Sequence, residues 1–124
     1  TKLTREAVST MLGLTIKHVG INTTGADAAT AEADKLAALF GVASDENEKS
    51  IFVNNLFEVM KFDGRGTHGH IAIQTNYIER AIYHLERRGF AFDEESKLYD
   101  ANGNLVLIYL KDEIGGFGIH LSQK

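Results

Sequence analysis

The chain has 124 residues, no cysteine, no proline, 44% hydrophobic residues and a formal net charge of −4. That is one ordinary domain with enough apolar material for a core, and it excludes disulfides, a thiol nucleophile and thiolate metal sites. No basic run or stripe points to nucleic acid, and no apolar run is long enough to span a bilayer, so neither partner is expected. The lack of cysteine and of a signal-peptide apolar region favours the cytoplasm. Thr1 in place of a starting methionine is what a domain cut from a longer chain presents.

In chain order, Thr4 is placed to cap a short helix through about Leu12, with Val8, Met11 and Leu12 at helical spacing and Gly13 ending it. Residues 1–13 read as a helical arm or linker, and residues 14–124 as the domain proper. Leu14 to Asn22 alternates as a strand. A helix from Thr24 follows, with Ala29, Ala33, Leu36, Ala37 and Phe40 on one stripe and Gly41 as its stop. Asp45 to Lys49 reads as a charged loop. Ser50 to Val53 and Leu56 to Lys61 read as strands turned by Asn54-Asn55.

The connection Phe62 to His68 separates two modules, about residues 14–62 and 69–124. In the second, the strand Gly69 to Thr75 leads into a helix opened by an Asn76/Glu79 capping box and ended by Gly89. Strands are expected near Phe90 to Phe92, at Leu98 to Asp100 and at Leu105 to Leu110, the last two joined by Asn102-Gly103. Gly115-Gly116 turns into a closing strand, Phe117 to Leu121. The doubling is written into the residues: His18 to Thr23 reads HVGINT, and His70 to Thr75 reads HIAIQT. Each module is strand, helix, then several strands, and a doubled unit of this kind predicts an α+β fold.

Strand parity decides which side chains share a face. His18 goes with Gly20 and Asn22, His70 with Ala72 and Gln74, Glu58 with Met60, and His120 with Gly118 and Ser122. Each module thus offers one residue from its first strand and one from its last. If the sheet curls, His18, Glu58, His70 and His120 meet in one cleft. Three imidazoles and a carboxylate form a metal-binding set for Zn, Ni, Mn, Fe or Co, with no sulfur to narrow the choice. His68 and His84 read as surface residues, and Arg87-Arg88 and Asp93-Glu94-Glu95 as solvated faces. No phosphate cradle and no serine or cysteine nucleophile motif is present.

HVGIN, FEVM, GHIAI and GFGIHL, in this order, resemble the vicinal oxygen chelate (glyoxalase/bleomycin-resistance/dioxygenase) superfamily, over Leu14 to Lys124. The resemblance implies two tandem βαβββ modules forming a curled mixed sheet around a cleft. In its glyoxalase I and methylmalonyl-CoA epimerase branches, the first strand of each module brings a histidine, here His18 and His70. The last strand of the first brings a glutamate or glutamine, here Glu58. The last strand of the second usually brings a glutamate, which commonly moves the proton, and here that position is His120. The run from KSIF through GFGIHL is also similar to the C-terminal extension of bacterial bifunctional 2-keto-4-hydroxyglutarate/2-keto-3-deoxy-6-phosphogluconate aldolases. The aldolase chemistry itself needs a Schiff-base lysine inside a (β/α)8 barrel, for which this chain has no room.

The expectation is a metal-dependent domain acting on a small oxo- or hydroxy-acid, of isomerase or lyase type, with a divalent ion stabilising an enediolate. Glu58 and His120 are the candidate bases, and Asn22, Gln74 and Ser122 the candidates for orienting substrate. A non-catalytic metal- or metabolite-binding accessory domain of an aldolase, and a metal-dependent dioxygenase, are the alternatives. Pairing is common in the superfamily, so a homodimer is expected.

Overall fold

A computed structural model describes residues 1–124. The elements follow as α1 (Lys2–Leu12), β1 (Thr15–Ile21), α2 (Ala26–Phe40), β2 (Ser44–Glu46), β3 (Ser50–Val53), β4 (Phe57–Met60), β5 (Gly69–Thr75), α3 (Ile78–Arg87), β6 (Phe92–Tyr99), β7 (Leu105–Leu110) and β8 (Phe117–Gln123). The strands form one mixed eight-stranded sheet in the order β2-β3-β4-β1-β5-β8-β7-β6, with β1 and β4 parallel. This is the expected α+β architecture. The chain divides into two compact units, Thr1–Lys17 with Ala72–Glu113 and Ile119–Lys124, and His18–Ile71 with Ile114–Gly118.

In the unit built on His18–Ile71, α2 lays the small residues Ala29 and Ala33 on Ile51, Val53 and Val59, with Leu36, Ala37 and Phe57 closing the cluster. Alanines on the contact face let helix and sheet approach closely. Gly41 ends the helix in the left-handed conformation, φ 69°. The β3–β4 hairpin pairs Ile51 with Val59 and Phe52 with Glu58. Ile51 and Val59 therefore point into the core, and Glu58 points to the other face. Asn54 and Asn55 turn the hairpin at φ 55° and 54°, and Leu56 N donates to Val53 O.

The expected loop at Asp45 to Lys49 is corrected in part, because Ser44–Glu46 pairs with β3 as a short strand. A polar triplet can join a sheet edge through its backbone alone, and the Lys61–Glu46 ion pair fastens it.

In the other unit, α1 is capped by Thr1, whose Oγ1 accepts from Thr4 N, rather than by Thr4. The helix is bonded into its unit. Leu12 is fully buried, and its carbonyl accepts from Thr75 Oγ1 and Asn76 N, each at 2.8 Å. That fixes a second correction: Asn76 makes no capping box, because its side-chain amide donates to Met11 O. The N-terminus of α3 is satisfied from elsewhere, by Ile78 N donating to Gln123 Oε1 at 2.8 Å. The strands expected near Phe90 to Phe92 and at Leu98 to Asp100 are one strand, β6, with register shifts between Asp93 and Leu98 and between Leu98 and Tyr99. Ser96 bridges the irregularity, its Oγ donating to Asp93 O and accepting from Tyr109 N. Asp100 Oδ1 accepts from Asn102 N and Asn104 N to hold the next turn.

The two left-handed asparagines make the β3–β4 hairpin sensitive to side-chain shape. Asn55→Val is expected to destabilise the fold by roughly 1–2 kcal/mol, whereas Asn55→Gly is tolerated, as read from urea denaturation midpoints.

Candidate metal centre

Parallel pairing of β1 with β4 sets Gly20 opposite Glu58, and His18 shares the face of Gly20 two residues earlier. The third element, β5, brings His70. A Cβ built on Gly20 would lie 2.0 Å from His70 Cε1 and 2.2 Å from its Nδ1. The His70 ring occupies the space that any other residue at position 20 would fill.

The outcome is a triangle of three donor atoms within one unit. His18 Nε2 lies 3.0 Å from His70 Nε2. Glu58 Oε1 lies 3.3 Å from His18 Nε2 and 3.2 Å from His70 Nε2. The three side chains are 13%, 8% and 18% exposed for His18, His70 and Glu58, so the triangle is largely shielded from water. Phe52 meets the His18 ring edge-on at 5.7 Å. The other oxygen, Glu58 Oε2, accepts from Ser50 Oγ at 3.0 Å.

Protons alone serve this triangle poorly. Each Nε2 is either a donor or an acceptor, and a carboxylate oxygen only accepts, so hydrogens satisfy at most two of the three edges. A cation at the centre satisfies all three lone pairs together. Donor atoms held about 2.0–2.2 Å from one ion lie about 3.0 Å apart at right angles and about 3.4 Å apart at a tetrahedral angle. The observed edges fall in that interval, so the residues fit a divalent metal. Hydrogen bonds from His18, then His70, with a smaller one from Ser50, outweigh burial and hold the Glu58 carboxyl far below the usual range.

His120 lies in the other unit, buried on β8. Its ring meets Tyr109, the residue paired with it on β7, at 5.0 Å, and its Nδ1 lies 3.3 Å from Ser122 Oγ. The Asn22 amide donates to Gly64 O and Gly66 O and accepts from Gly64 N, fastening the 62–68 connection. The Gln74 amide donates to Thr15 Oγ1. His68 is exposed, as expected.

Ser50 is the residue that sequence reading missed. It is 1% exposed, and the β3–β4 register, with Phe52 opposite Glu58, places it on Glu58's face. Hairpin register was the signal available.

No family model matches the chain, and no curated protein matches it. Solved structures match it at the level of fold. A hypothetical protein from Bacillus halodurans C-125 is 17% identical, over 90% of this chain and 95% of that one, with a TM-score of 0.54. Methylmalonyl-CoA epimerase from Mycobacterium tuberculosis is 15% identical, over 91% and 89%, with a TM-score of 0.56. A methylmalonyl-CoA epimerase in complex with methylmalonyl-CoA and NH4+ is 15% identical, over 88% and 93%, with a TM-score of 0.55. The chain therefore has the glyoxalase-like α+β fold of these structures. No helix is long and apolar enough to cross a membrane.

The depressed Glu58 carboxyl gives a pH signature. A carboxyl held lower in the folded than in the unfolded state adds stability above the ordinary glutamate range, and loses it as pH falls toward the folded value. In metal-free protein, Glu58→Gln is expected to lower stability at neutral pH. Its gap to wild type should narrow between about pH 5 and pH 2 in thermal melts.

Proposed function

We propose that this domain is a metal-dependent enzyme of the vicinal oxygen chelate type, acting on a small oxo- or hydroxy-acid by proton transfer next to a carbonyl. The observation that carries it is the closed triangle of His18 Nε2, His70 Nε2 and Glu58 Oε1, with edges of 3.0–3.3 Å. His120 enters on its place in the doubled pattern: it stands on the last strand of the second module as Glu58 stands on the last strand of the first. His18, Glu58, His70 and His120 would hold the ion, which is Zn, Ni, Mn, Fe or Co by donor type. Bound there, a divalent ion supplies Lewis-acid stabilisation of negative charge developing on a substrate oxygen.

The chain's own residues divide the remaining work. Glu58 is a poor proton acceptor near neutrality, since hydrogen bonds from both imidazoles favour its ionised form. That argues against it as the base and for it as a fixed anionic ligand. Imidazole is the side-chain type that takes and returns protons near neutral pH, so the proton-moving role falls to His120. Association with a keto-acid aldolase belongs to this reading too, with the aldol step residing outside these residues. Acyl-CoA thioesters join the substrates to test because two of the structures of this fold are methylmalonyl-CoA epimerases. The second reading, an accessory domain that binds metal and metabolite without turnover, is favoured by one feature: β8 carries an imidazole, not a carboxylate, at position 120.

The test is elemental analysis of untagged protein beside His70→Ala and Gly20→Ala, followed by turnover of oxo-acids and methylmalonyl-CoA. About one equivalent of a transition metal is expected in the wild type and little in either variant. No metal in the wild type after incubation with each ion overturns the enzyme reading, and metal without turnover of any substrate selects the accessory reading.

The sheet ends at β2 and β6, and β6 leaves Leu98 and Tyr99 more than half exposed. A second copy of this chain is the proposed macromolecular partner, and sedimentation equilibrium is expected to give twice the chain mass; a monomer at micromolar concentration refutes it.

A further inference from the structure

We propose that Ser50 is a positioning residue that makes Glu58 a one-oxygen ligand and so keeps a coordination position open for substrate. The inference rests on the metal reading above and adds to it how the carboxylate is presented. The two oxygens of Glu58 face different partners: Oε1 faces both imidazole nitrogens, and Oε2 takes the Ser50 hydroxyl hydrogen at 3.0 Å. A carboxylate with both oxygens free can chelate an ion through either one or both. With Oε2 tied to a buried donor, turning the carboxylate toward the ion breaks a charge-assisted hydrogen bond in a place that water enters poorly.

Ser50 can hold that position because its own backbone is fixed. Asn47 Oδ1 accepts from Lys49 N at 2.8 Å and from Ser50 N at 2.9 Å, while Asn47 N donates to Ser50 O. Lys61 Nζ donates to Asn47 O at 2.8 Å. The turn at 47–49 is therefore closed on both sides, and Ser50 leaves it at the first position of β3. Its hydroxyl has a second possible acceptor, Asn47 Oδ1 at 3.4 Å. The shorter contact to the charged carboxylate prevails. A ligand whose far oxygen is hydrogen-bonded is oriented before the ion arrives, and loss of such a partner commonly weakens metal affinity 10–100-fold.

The test loads metal-free protein with Co2+ and follows its visible absorption during titration, because band intensity falls as coordination number rises. Wild type, Ser50→Ala, Ser50→Thr and Asn47→Ala are compared. Ser50→Ala is expected to bind Co2+ about 10-fold more weakly and to give a weaker band, as the released carboxylate closes on the ion with both oxygens. Ser50→Thr, which keeps the hydroxyl, is expected to restore both readouts. Identical affinity and band in Ser50→Ala and wild type overturn the role of Ser50 while leaving the metal reading intact. An affinity loss with an unchanged band, not restored by Ser50→Thr, overturns it as a packing effect. No Co2+ binding by wild type removes the metal reading, and this inference with it. Should Ser50→Ala fail to fold, Asn47→Ala decides, with a smaller band shift in the same direction supporting the role and no shift overturning it.

Discussion

The candidate site depends on one missing side chain. Gly20 faces Glu58 across the parallel β1–β4 pair, and the His70 ring lies where a Cβ at position 20 would be. Two imidazoles and a carboxylate come within 3.3 Å of one another only because that position is vacant. At these distances hydrogens fill at most two of the triangle's three edges. The cost of assembling the triangle is met by the rigid elements around it: a strand pair, a hairpin and a helix whose alanines sit flush on the sheet.

Other glycines do similar work behind the site. Gly66 and Gly69 have left-handed or otherwise positive φ, 89° and 148°. A Cβ on Gly66 would strike Gly69 O at 1.9 Å, and one on Gly69 would strike Gly20 O at 1.9 Å. The 62–68 connection is thus packed backbone to backbone where the chain leads into β5. Asn22, at the end of β1, holds the same connection with three hydrogen bonds. Its counterpart in the doubled pattern, Gln74, holds Thr15 at the start of β1. Each satisfies neighbouring polar groups, a pressing demand in a tightly packed region.

What was legible in the sequence follows from period and repetition. Alternation put Glu58 on the face opposite Phe57 and Val59, and the hairpin bears this out. The copied HVGINT and HIAIQT strings located His18 and His70, and their nitrogens are 3.0 Å apart. What was not legible depended on partners far away in sequence. Asn76 and Glu79 have the spacing of a capping box, yet α3 is capped by Gln123, 45 residues later. Ser44 to Glu46 carries no strand pattern, and pairs only because β3 offers it an edge. Ser50 gave no signal as a residue type. Its meaning comes from a register that is known once the hairpin is built.

The two modules end on different chemistry at matching places. Glu58, on the last strand of the first, accepts a hydrogen bond from buried Ser50. His120, on the last strand of the second, lies 3.3 Å from the hydroxyl of buried Ser122. A hydroxyl donating to a carboxylate makes it less basic and fixes which oxygen is left to act. Beside His120 the hydroxyl can donate to Nδ1 or accept from it, according to the ring's tautomer. The same small residue type thus stands beside both side chains, donating to the Glu58 carboxylate and lying against the His120 ring. A fold shared with proteins at 14–18% identity supplies the two positions. The side chains placed on them, and the serines beside those side chains, decide what is done there.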